Sequence, residues 1–170
     1  WRHLRFILSY APDHLYLIPG TLLLALGISL QAMLATGPMN IAGLYMGIHF
    51  LALGGMLTLI GFNLLNMGVI AKVVLCAQHP VLRTGLIQTI MTSFTLEKGL
   101  VIGALLTVCG FVVNSSILAD WILHHGEPMD KSTHIVFVAS QAIALGINIM
   151  FSSFLLSLLL QERHTTRPSK

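Results

Sequence analysis

Lys72, Arg83 and Lys98 are the side chains in this sequence best suited to chemistry, and the chemistry they suit is phosphate recognition. They flank and occupy "AQHPVLRTGLIQTIMTSF", a stretch too polar to cross lipid that separates two long apolar runs. Ammonium and guanidinium groups at headgroup depth pair with the oxygens of phospholipids, or of a polyprenyl-phosphate carrier. Anchoring by cytoplasmic cations explains the same three residues without any ligand.

Other chemistries find less material. The six acidic residues lie mostly in loops or at membrane boundaries, with no paired carboxylates and no Ser-His-Asp arrangement. Of the eight histidines, His124 and His125 are adjacent and so point to different helix faces; His134 follows a loop and His49 stands alone. No HExxH or comparable ligand set appears, and no metal site is expected. Cys76 and Cys109 show no CxxC spacing, and Cys109, inside an apolar run, reads as a small buried hydrophobe. The glycines form neither GxGxxG nor a P-loop, so no cofactor is expected in this chain.

Within the apolar runs the polar residues are neutral: Asn63 and Asn66, then Asn114 to Ser116, then Gln141, Asn148 and Ser152. The last three share one helix face. A transporter would use such a stripe as a substrate path, but ionisable groups near mid-bilayer, the usual mark of that function, are missing. Hydrogen bonding between helices is the favoured reading, with the small pairs Gly43/Gly47, Gly99/Gly103 and Ser153/Ser157 allowing close contact within or between chains.

The elements that position these residues follow from composition. Of 170 residues, 55% are hydrophobic and 9% charged, with a mean hydropathy of +0.85; soluble domains carry about 25% charged residues. The apolar runs are long enough to cross about 30 Å of hydrocarbon. The expected fold is an all-α integral membrane protein with four transmembrane helices and one amphipathic helix in the cytoplasmic interface. The crossings fall at about 15–35, 44–75, 96–122 and 135–160. Residues 1–14 form a juxtamembrane segment and 161–170 a cytoplasmic tail.

Local signals refine the crossings. Pro19-Gly20 should kink the first, and "TGPMNIAG" should form a short turn after it. Residues 80–94 repeat apolar side chains every four positions opposite Arg83, Thr84, Gln88 and Thr92, the pattern of a helix lying in the interface plane. Thr95 suits an N-cap, with Glu97 in the first turn and Trp121 as an interfacial anchor at the far end.

Four crossings place eight of the nine Lys and Arg residues on one side, leaving Lys131 amid Asp120, Glu127 and Asp130 on the other. By the positive-inside bias the basic side, with both termini, is cytoplasmic, in a cell (inner) membrane. The net charge of +3 is thus a membrane feature, and no nucleic-acid partner is expected.

Several stretches, "WRHLRFILSYAPDHLYLIPG", "IHFLALGGMLTLIGFNLL", "FTLEKGL" and "NIMFSSFLLSLLL", resemble the C-terminal membrane region of bacterial family 2 glycosyltransferases of the dolichol-phosphate-glucose or dolichol-phosphate-mannose synthetase type. The resemblance runs in order over nearly the whole chain. It implies a cytoplasmic GT-A catalytic domain ahead of Trp1, holding the nucleotide-sugar site and its metal-binding acidic motif, so no catalytic residue is carried onto this sequence. The implied role is to anchor and oligomerise an enzyme that moves sugar from a nucleotide donor to a polyprenyl phosphate. Expected partners are membrane lipids, polyprenyl phosphate and further copies of the chain or a larger membrane complex. The competing expectation is a non-enzymatic four-helix accessory subunit of such a complex.

Overall fold

In hydrocarbon a backbone amide finds no water, so long apolar runs satisfy their hydrogen bonds internally as helices. The computed structural model describes residues 13–41, 43–78, 96–123 and 130–165. Its long helices are α1 (Ile18–Leu34), α2 (Ile48–Gln78), α3 (Leu96–Leu123) and α4 (Asp130–Thr165). All four are long and apolar enough to cross a membrane. The in-plane helix expected over 80–94 lies outside the described residues.

A π-helical turn, Asp13–Leu17, leads into α1, and Pro19 sits in the first turn of α1. There its missing N–H costs little, because the first-turn donors have no partner within a helix in any case. Between α1 and α2, where a plain turn was expected, the chain forms a small antiparallel hairpin of β1 (Met39–Ile41) and β2 (Leu44–Met46), with Met39 opposite Met46. Gly37 (φ 138°) and Gly43 (φ 84°) adopt backbone conformations that side chains rarely tolerate, and so let the chain reverse twice. Residues 44–46 belong to β2, and α2 therefore begins at Ile48.

Small residues at seven-residue intervals set the packing. Gly20 and Gly27 on α1 face Gly61 and Gly54 on antiparallel α2, and Gly68 of α2 meets Tyr16 and Leu17 in the π-helical turn before α1. A Cβ on Gly27 would stand 2.5 Å from the Thr58 backbone nitrogen, and one on Gly61 would run into the backbone of Leu24. The same device joins α3 to α4, where Gly103 and Gly110 meet Gly146 and Ala139; a Cβ on Gly110 would come within 2.6 Å of the Ala139 carbonyl. Close backbone approach replaces the hydrophobic effect, which is absent between helices in lipid. Gly99, Gly103 and Ser153 are all buried, and Gly103 lies within this packing.

The two helical hairpins meet through polar bonds instead. Parallel α2 and α4 pair Gln141 Nε2 with the Gly55 carbonyl (2.9 Å), Asn148 Nδ2 with Asn63 Oδ1 (2.8 Å) and the amide of Asn66 with the hydroxyl of Ser152. At the α1 C-terminus, buried His134 lies 2.8 Å from the Leu34 carbonyl through Nδ1. The polar stripe on α4 is thus a set of interhelical contacts. The outer surface carries Leu105, Phe111, Val112, Ile122 and Phe151, all exposed. Cys109, expected to be buried, also faces outward, because apolar residues in a membrane protein cover the outside as readily as the core.

Candidate functional site

α1 packs on α2, α3 on α4, and α2 meets α4, whereas α1 and α3 hardly touch. A cleft therefore runs between α1 and α3, floored by α2 and α4. Two cavities lie along it. One, of about 410 Å³, is bounded by Leu24, Phe62, Val69, Ile102, Ile149 and Leu156 among others. The second, of about 260 Å³, continues toward the opposite end of the bundle between Ile28, Leu106 and Leu145. From Val138 in the second to Leu156 in the first is eighteen residues along α4, or about 27 Å at 1.5 Å per residue.

Polar atoms on these walls are occupied by one another. Gln31 Nε2 donates to Thr58 Oγ1 (2.8 Å), and the Thr58 hydroxyl donates to the Gly54 carbonyl (2.8 Å). Ser153 Oγ donates to the Ile149 carbonyl (2.7 Å), and Asn66 and Gln141 bond as described above. With those donors engaged, the groove presents mainly hydrocarbon to whatever enters it.

Lys72 and Lys98 stand at one end of this groove. Leu65 and Val69 line it, and Lys72 follows them at seven and three residues, on the same face of α2. Lys98 adjoins Gly99 and lies four residues before Ile102, both of which line the groove from α3. Lys72 is half-buried and Lys98 exposed. The fold therefore brings these two residues to the same end of the bundle, from helices separated by seventeen intervening residues, whereas Arg83 lies outside the described residues. Among the described residues no group of three His, Cys, Asp or Glu side chains converges as a metal site would require.

Sequence reasoning located the cations but missed the groove. Its signal was the heptad recurrence of Gly54, Gly61, Gly68 and of Ala139, Gly146, Ser153: helices consumed in tight pairs leave a gap where the pairs abut.

Comparison with known proteins bears directly on these features. Residues 69–160 match the model of the glycosyltransferase family 2 C-terminal transmembrane region. Over 160 residues the chain is 34% identical to the low-salt glycan biosynthesis hexosyltransferase Agl6 of Haloferax volcanii. That alignment covers 92% of this chain and 37% of the relative, so the chain spans little more than a third of the curated protein it matches. The relative is archaeal, whereas the sequence features pointed to bacterial enzymes. No solved structure matches. The matched segment contains Lys72, Lys98 and most of the groove, and the chain belongs to the family 2 glycosyltransferase C-terminal transmembrane region.

Proposed function

We propose that this domain anchors a glycosyltransferase in the cell membrane and presents a polyprenyl phosphate to a catalytic domain that transfers a hexose from a nucleotide donor. The juxtaposition of Lys72 and Lys98 at one end of an apolar groove carries this reading. The family match and the hexosyltransferase relative support it. The bias of Lys and Arg supports a cytoplasmic position for that end and for both termini.

In such a reaction the acceptor's phosphate oxygen attacks the anomeric carbon and the nucleoside diphosphate departs. The task of this domain is upstream of that step. Lys72, Arg83 and Lys98 pair with the acceptor phosphate, fix it at headgroup depth and orient the attacking oxygen, so that encounter with the sugar donor is confined to one plane. Charge-assisted hydrogen bonds contribute about 1.5–3 kcal/mol each. Replacing all three residues with Gln in the full-length protein should therefore raise the KM for polyprenyl phosphate at least about tenfold, while the KM for the nucleotide sugar and membrane insertion stay as they were. Unchanged acceptor kinetics in that variant would overturn the assignment.

A further inference from the structure

The segment joining α1 to α2 is apolar where it has no protein to face. In the β1–β2 hairpin Met39 stands opposite Met46, and Asn40 opposite Tyr45. Side chains alternate along a strand and cross-strand partners share a face. Met39, Leu44 and Met46 therefore form an aliphatic side, with Asn40 and Tyr45 on the other. Met39 and Leu44 are 42% and 55% exposed and Met46 is half-buried, so the bundle leaves the aliphatic side uncovered. The segment is also uncharged. No Asp, Glu, Lys or Arg occurs between Asp13 and Lys72, whereas Glu127, Asp130 and Lys131 cluster around the connection from α3 to α4 at the same end of the bundle.

Topology decides what lies against that side. Only residues 35–38 separate the hairpin from α1 and only Gly47 separates it from α2, so membrane-spanning helices hold it at both ends. Their lipid-facing surfaces run up to it through exposed Met33 on α1 and Leu53 on α2. Its depth is bounded in both directions. Each strand has one edge of unpaired N–H and C=O groups that hydrocarbon cannot satisfy, which keeps the hairpin at a level water reaches. Aliphatic side chains favour the acyl boundary, and a tyrosine ring favours the headgroup level.

We infer that the β1–β2 hairpin lies flat in the headgroup region of the leaflet opposite the lysine end, with Met39, Leu44 and Met46 against acyl chains and Asn40 and Tyr45 toward water. Its partner is the lipid surface. Seated so, it resists displacement of the α1–α2 pair along the membrane normal: sinking strands its backbone edges, and lifting exposes its aliphatic side to water. This seat depends neither on the acceptor nor on the direction in which the domain is inserted.

The experiment uses the full-length protein, its native cysteines replaced by Ser, in vesicles of phosphatidylcholine and phosphatidylglycerol. Single nitroxide labels are attached through Met39→Cys, Leu44→Cys, Asn40→Cys and Tyr45→Cys, with Leu105→Cys on the exposed face of α3 as the hydrocarbon reference. Power saturation compares collisions with oxygen, which concentrates among acyl chains, and with a nickel chelate, which stays in water. The two faces stand roughly 10 Å apart in depth, so the oxygen-to-chelate ratio should be about fivefold higher at Met39→Cys and Leu44→Cys than at Asn40→Cys and Tyr45→Cys. Chelate-dominated collisions at all four positions would stand the hairpin in water, and oxygen-dominated collisions at all four would sink it in hydrocarbon; either overturns the seat. Protection of Met39→Cys and Leu44→Cys from both reagents would mean that protein, a second copy or another chain, covers the aliphatic side in place of lipid, and would overturn it too.

Discussion

Asn63 and Asn148 show what a neutral polar residue does inside this membrane domain. Their amides bond across the seam between α2 and α4 at 2.8 Å, while Asn66 and Ser152 bond one turn further along. Bonds of this kind in lipid contribute less than their surroundings suggest, because the separated helices also find partners; measured couplings average about 0.6 kcal/mol and reach about 1.7. A double-mutant cycle of Asn63→Ala and Asn148→Ala, read from unfolding in mixed micelles, should give a coupling within that range. A coupling of zero would show that the two amides are neighbours without being partners. Gln31 makes a related prediction. It is buried and donates to Thr58, whose own hydroxyl donates onward to the Gly54 carbonyl. Gln31→Leu leaves no donor stranded and should cost no more than about 1.5 kcal/mol, the upper range of one net hydrogen bond.

The helices are organised by what they lack. Gly61 touches the backbone of α1 so closely that a methyl group there meets the Leu24 nitrogen and, at 2.8 Å, the Gly20 carbonyl. Neither can rotate aside as a side chain could, so the helices must part. Gly61→Ala should lower the stability of the α1–α2 pair by about 1–3 kcal/mol, as overpacking does. Leu105→Ala on the exposed face of α3 should stay within about 0.5 kcal/mol. Thermal unfolding of both variants in one detergent checks the contrast. Legibility in the sequence divides along the same line. The four long apolar helices were legible because a continuous apolar run of about 20 residues or more crosses hydrocarbon as a helix, and Lys72 and Lys98 were legible because charge is scarce. Which way each helix faces was not legible from hydropathy. Cys109 sits outward among residues as greasy as those inside, and the orienting signal was the small residue every seventh position rather than every fourth. The hairpin at 39–46 escaped notice for a different reason: its strands are three residues long, too short for an alternating pattern, and only Gly37 and Gly43 hint that the backbone doubles back.

For the molecule as a whole, topology is the property on which function depends. Alternating helix directions put the start of α1, the end of α2, the start of α3 and the end of α4 together, and the β1–β2 hairpin at the other end of the bundle. The orientation proposed above places the first set in the cytoplasm. In a protein whose native Cys76 and Cys109 have been replaced by Ser, a cysteine at exposed Thr36 should react with a membrane-impermeant maleimide added outside intact cells. One at Lys170 should react only after the membrane is permeabilised. The opposite pattern would invert the domain and put the lysines out of reach of a cytoplasmic sugar donor.

Glycine stitches each pair of helices into a stiff rib, and a short row of amides and hydroxyls fastens rib to rib. Such a bundle does not deform evenly. Stretching, thinning or curving the bilayer will be taken up along the fastening, where few bonds must give, and hardly at all within a rib. The polar row, from Gln141 to Ser152 on α4, thus marks about 17 Å of seam along which the two ribs are joined least tightly.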